Sequence, residues 1–222
     1  MIRSTLPVAV ALAASAALLL TACGGGGSDS SDTIQSAATD TASSTTTTAS
    51  PSPTAAEGPA APDFALPSDV KIDFVAFTST DPTEKAVLRD ATYAATAVVE
   101  TEALGKPQET PNLKRYFTGV HGAELADQLI SYGKSGKVAT GTFRYYQPKV
   151  TVNKQANSVT VAFCEDQRKA YDKDVKTGKV NVTAPTLNSF NSWTYVMDKG
   201  ATGEWKVFNY SWIHGVKKCQ VA

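Results

Sequence analysis

Apolar residues recur every three to four positions from Val87 to Val99, and at every second position in the segments beyond Gly136. The chain therefore reads as helices first and strands afterwards. Asp81-Pro82-Thr83-Glu84 opens the clearest element, with an N-cap acceptor, proline at the first helical position and a glutamate placed as in a capping box. Val87, Leu88, Ala91, Ala94, Ala95, Val98 and Val99 then form one stripe of a long helix, which Gly105 and Pro107 stop. A shorter helix is predicted over 123–132, with Leu125, Leu129 and Tyr132 on one face and Gly133 as its stop. Leu113 to Phe117 adds a helical turn before it, and upstream the alternation Val70-Lys71-Ile72-Asp73-Phe74 predicts an edge strand or extended lead-in.

Thr142 to Val152, rich in aromatic and β-branched residues, predicts a strand, followed by a turn at Asn153 to Asn157. Ser158 to Cys164 sets Val159, Val161 and Phe163 on one face against Thr160, Ala162 and Cys164 on the other. The polar stretch Glu165 to Lys179 reads as a loop or irregular hairpin. Ser192 to Met197 and Glu204 to Ile213 make a last hairpin across the turn 198–203. Segregated helices and antiparallel strands argue for α+β.

The N-terminus changes where such a domain would work. Arg3, an apolar run from Leu6 to Leu20 and a close in small residues have the form of an export signal, too short for a confident spanning helix. Leu20-Thr21-Ala22-Cys23 resembles a bacterial lipobox. That resemblance implies cleavage after residue 22, diacylglycerol on the Cys23 sulfur, and a protein held at the extracytoplasmic face of the cell membrane. Residues 24–62 are almost all Gly, Ser, Thr, Ala and Pro, a composition with too little apolar surface to offset the entropy of ordering. The expected organisation is a signal over 1–22, a lipidated cysteine with a disordered linker over 23–62, and a globular domain over 63–222. The linker composition is also that of O-glycosylated stalks.

Charge removes one class of partner. The 21 basic and 21 acidic side chains balance overall. Asp29, Asp32, Asp40 and Glu57 give the linker −4, and the domain carries +3. Nucleic-acid binding needs a clustered basic footprint, which is missing. Beyond Cys23 there remain Cys164 and Cys219, expected outside the cytoplasm to form a disulfide, with two buried free thiols as the alternative. Two cysteines and two scattered histidines lack the close ligand pairs of a zinc site, and no motif asks for a cofactor.

The order of elements, closing on Glu204-Trp205-Lys206-Val207, resembles the NTF2-like superfamily. The resemblance implies a curved antiparallel sheet wrapped around the long helix as a cone, with the shorter helix beside it and an open mouth able to hold a small molecule. The lipobox, the Ser/Thr/Pro tail, Phe163-Cys164-Glu165-Asp166, Thr177-Gly178-Lys179 and the late cysteine together resemble exported lipoproteins of high-GC Gram-positive bacteria. Some NTF2-like proteins are isomerases or dehydratases; here Asp90, Tyr93, His121, Asp166 and His214 are residue types that serve such chemistry. Asp90 is expected to face solvent, His121 to lie in an exposed loop and His214 to end a strand, so no catalytic residue is assigned. Tyr145 and Tyr146 send adjacent rings to opposite faces, and Tyr210 and Trp212 share a face that Trp205 and Val207 do not. Aromatics on both faces allow a pocket inside and a contact surface outside for a protein partner or a second copy. The expectation is a non-catalytic binding or assembly module at the cell envelope; a small apolar ligand in the cone, or an isomerase-type enzyme, are the alternatives.

Overall fold

The computed structural model describes residues 59–155 and 157–220. The signal, Cys23 and nearly all of the expected linker lie outside the described residues. In chain order the elements are β1 (Val70–Phe74), α1 (Pro82–Leu104), α2 (Pro111–Tyr116), α3 (Gly119–Lys134), β2 (Lys137–Asn153), β3 (Ser158–Asp174), β4 (Val180–Asn181), β5 (Phe190–Lys199) and β6 (Trp205–Ile213). The sheet runs β1-β2-β3-β5-β6, with β4 paired to β3. All its ladders are antiparallel except the edge pair β1–β2. This is α+β, with the long helix and its shorter companions packed on one six-stranded sheet.

Local chemistry fixes α1. Asp81 Oδ1 accepts from the Glu84 amide at 2.8 Å, and Pro82 opens the first turn. Glu84 does not close a capping box; it accepts from the Ser79 hydroxyl at 2.7 Å. Gly105 ends the helix at φ 64°, donating to the Thr101 carbonyl. The apolar stripe packs on Phe143 and Tyr145 of β2, Val159, Val161 and Phe163 of β3, and Trp193 and Tyr195 of β5. A smaller cluster of Tyr146, Phe190, Cys164 and Cys219 forms behind the sheet. There Cys164 and Cys219 are joined by a disulfide, and Tyr146 donates to the Cys219 carbonyl.

Asp90 is a correction. Instead of facing solvent it is 1% exposed, accepting from the Trp205 amide at 2.8 Å and pairing with Arg89 Nε at 2.8 Å. The helix stripe is wide enough there to reach the start of β6, whose first amide would otherwise be buried without a partner.

The stretch 165–179 is a second correction. Most of it continues β3 to Asp174, paired with β2 throughout and with β4 at its end. Its polar composition reads as a loop, and a register irregularity also interrupts its alternation: between Thr142/Lys169 and Arg144/Asp166, β2 spends one residue and β3 two. Such a bulge turns side chains to the other face. Glu165 before it, and Ala170 and Asp172 after it, therefore end on the same side. A second bulge corrects the reading of β6. Val196 pairs with Asn209 and Met197 with Val207, which leaves Phe208 extra. Trp205 and Val207 sit in the core, and Tyr210 packs against that same core. The bulge puts residues of opposite parity on one face.

The lead-in to the domain is clamped to the helices. Arg115 Nη2 donates to the Ala60 carbonyl at 2.9 Å, and Asn112 Nδ2 to the Asp63 carbonyl at 2.8 Å. The Ala65 amide donates to Glu100 Oε1 at 2.7 Å. Among the described residues no helix is long and apolar enough to cross a membrane.

Candidate functional site

The cone is open. Between α1, α3 and the inner face of the sheet lies a cavity of about 390 Å³, on the usual scale of small-molecule sites. Leu125 and Leu129 of α3, Val98 of α1 and Phe143 of β2 supply apolar wall. Tyr145, Tyr171, Trp193, Tyr210 and Trp212 add aromatic surface, and Asn181 and Thr183 contribute polar groups. Trp193 and Trp212 stack with centroids 5.3 Å apart and planes 20° off parallel. Trp212 keeps 38% of its surface exposed, so this stack reaches from the buried wall to the rim.

Two glutamates face into this space from different elements. Glu165 of β3 is held firmly: its Oε1 accepts from the Tyr145 hydroxyl at 3.0 Å, and its Oε2 from Trp193 Nε1 at 2.8 Å and Asn191 Nδ2 at 3.3 Å. With Asn191 Nδ2 committed to Glu165, its Oδ1 accepts from His214 Nδ1 at 3.1 Å, which assigns the ring proton to Nδ1. His214 lies against Trp212 with ring centroids 3.9 Å apart. A polar relay thus runs from the cavity wall to the end of β6.

Glu102 of α1 is held by nothing: its carboxyl has no hydrogen-bond partner among the described residues. Part of its surface still opens on the cavity, yet protein surrounds it. Burial, and then the carboxylates of Glu165 and Asp172, push its pKa up to about 8. It is therefore a neutral acid through the mildly acidic and neutral range. Asp172 is paired, accepting from the Tyr132 hydroxyl at 2.8 Å and from Lys137 Nζ at 3.0 Å. Burial raises the Tyr145 phenol well above its ordinary range, reinforced by Glu165, and burial with the bond to Asp172 raises Tyr132, so both remain donors.

None of the five residues singled out from sequence lines the cavity. Asp90 is structural, as described. Tyr93 packs against Tyr116, with centroids 5.8 Å apart. His121 lies within the first turn of α3, part-exposed and 2.9 Å from Glu124 Oε2. Asp166 is bound on the other face of β3, where burial opposes its charge but the bonds from Arg168 prevail and hold its pKa below the usual range. His214 touches the site through Asn191 and Trp212. The groups that matter, Glu102 and Glu165, went unassigned. Glu102 was findable: it follows Ala91, Ala95 and Val98 on the apolar stripe, where a lone carboxyl is out of place. Among the described residues no group of three His, Cys, Asp or Glu could hold a metal ion.

No family model matches the chain, and no curated protein does. Solved structures do. The intermembrane-space region of the chloroplast protein ARC6 is 16% identical over 57% of this chain and 95% of that one, with a TM-score of 0.38. A ketosteroid isomerase-like protein from Erwinia carotovora atroseptica is 18% identical over 55% of this chain and 90% of that one, with a TM-score of 0.34.

Proposed function

We propose that this chain is a ligand-binding protein, with a small, largely apolar molecule held in the cone, and that it works at the extracytoplasmic face of the cell membrane, anchored through Cys23. The observation that carries the ligand half is the cavity itself: an assembly module has no need to keep about 390 Å³ open in its core, lined by aromatic rings and one unpartnered acid. The lipobox resemblance and the Ser/Thr/Pro-rich tail support the anchor. A single acyl chain binds membranes marginally, whereas the two or three chains of a mature lipoprotein hold well.

A second reading rests on Glu102. An acid whose pKa lies near neutrality, unpartnered on the wall of the cavity, suits proton transfer of the isomerase or dehydratase kind. Binding is preferred, because beside Glu102 the cavity offers Glu165 already engaged by three donors, and among the described residues of its lining no cationic side chain to stabilise a developing oxyanion.

The ligand half is tested with prodan, a neutral apolar fluorophore. The full chain is expected to enhance and blue-shift its emission, and Ala139→Trp, which fills the cavity wall, to abolish this while the protein stays folded. Prodan emission unchanged by the parent protein would refute a ligand-holding cone. The anchor is tested separately: Cys23→Ala is expected to move the protein from the membrane to the soluble fraction, and unaltered membrane association would refute it.

A further inference from the structure

The charges around the cavity do not balance. Among the described residues its lining carries three carboxyls, Glu102, Glu165 and Asp172, and no Lys, Arg or His. Lys137 matches Asp172 at 3.0 Å. The three donors on Glu165 are neutral groups, and Glu102 has no partner among the described residues. Isolated charge in a low-dielectric space is costly, so a carboxyl in this position keeps its proton or takes a positive partner. The aromatic wall offers a complementary surface, because the faces of Trp and Tyr rings attract cations. The Trp193–Trp212 stack and the rings of Tyr171 and Tyr210 are within the same lining.

We propose that the ligand of the cone is an organic cation, an alkyl- or arylammonium, with its charged head beside Glu102 and its apolar body against the aromatic wall. This rests on the reading that the cone holds a ligand. A metal ion does not suit the donor set, since no three of its typical ligand residues gather among the described residues. An anion would meet carboxyls and no cationic side chain. A neutral ligand without a hydrogen-bonding group would leave the Glu102 carboxyl without a partner. The organic cation takes the place of the proton on Glu102, so the cavity carries that positive charge in either state.

The proton exchange sets the pH dependence. The titratable groups facing Glu102 are Glu165 and Asp172 on β3, Tyr132 on α3, Tyr145 on β2 and Tyr195 on β5, with Lys137 acting through Asp172. The tyrosines keep their protons, and the carboxylates repel a third charge. Cation binding therefore releases one proton below about pH 8, and affinity rises as pH approaches that value.

The test is a titration of the full chain by tryptophan fluorescence with benzyltrimethylammonium and with its uncharged isostere neopentylbenzene. The parent is expected to bind the cation at least about tenfold more tightly, the scale of one cation–π contact with a charge partner. Cation affinity is expected to rise between about pH 6 and about pH 8. Glu102→Gln should weaken the cation about tenfold and leave the isostere unchanged. If the isostere binds as tightly as the cation while prodan still binds, the cone is a neutral apolar site and the inference falls alone. If cation affinity is independent of pH across that range, Glu102 is not its partner and the inference falls as well, whether or not the variant folds. If neither probe nor prodan binds, the ligand reading falls with it.

Discussion

Glu102 ties stability to pH with a sign opposite to that of most carboxylates. Its pKa in the folded chain is about 8 against an ordinary 4.5, so between those values the folded state holds a proton that the unfolded chain has lost. Stability then falls as pH rises through that window, and levels off above it. Glu102→Gln is neutral at every pH and escapes the loss. Urea unfolding at about pH 5 and about pH 9 should show the variant gaining on the parent by on the order of 3 kcal/mol, less than the full shift implies because water in the cavity screens the charge. Equal pH dependence in the two proteins would mean that Glu102 ionises freely. At this scale the sequence was least legible. Asp90 and Glu102 are both acids on α1, and the helical pattern alone does not say that one caps the Trp205 amide while the other stands bare. That difference depends on partners 115 residues away in the first case and on a cavity in the second.

Elements were read better than residues, for reasons visible in particular cases. The α1 signals are local: the Asp81 cap, Pro82 and the Gly105 stop all act within a turn of themselves. The strand faces fail where a bulge intervenes, because a parity argument assumes an unbroken period of two. Gln167 and Arg168 hid the second half of β3, and Phe208 reversed the assignment of Tyr210 and Trp212. No residue type in either segment announces the extra position. The bulge on β6 is also testable. Deleting Phe208 restores strict alternation and turns Tyr210 and Trp212 away from the face that Trp205 and Val207 occupy. The expected outcome is a folded protein, destabilised by about 2 kcal/mol from lost aromatic packing, that no longer shifts prodan emission. Retained prodan binding would show that Trp212 and Tyr210 are dispensable to the wall.

For the molecule as a whole, helices followed by antiparallel strands were enough to reach the α+β class, and the expectation of an export signal made pairing of the last two cysteines the leading reading. The disulfide closes a separation of 55 residues and fastens the C-terminal segment behind the sheet, one residue from Glu165. Its removal in Cys164→Ser/Cys219→Ser is expected to cost about 4 kcal/mol by the chain-entropy estimate, read as a lower urea midpoint. An unchanged midpoint would place the stabilisation elsewhere. The clamped lead-in has a mechanical consequence. A pull transmitted along the chain from upstream of Ala60 is met first by Arg115 and Asn112 of α2, then by Glu100 on α1. These bonds lie outside the β ladders, and the first strand behind them, β1, is an edge. Load entering from that end is thus spent on three side-chain contacts before it reaches β3 or β5, the strands that carry Glu165 and Trp193.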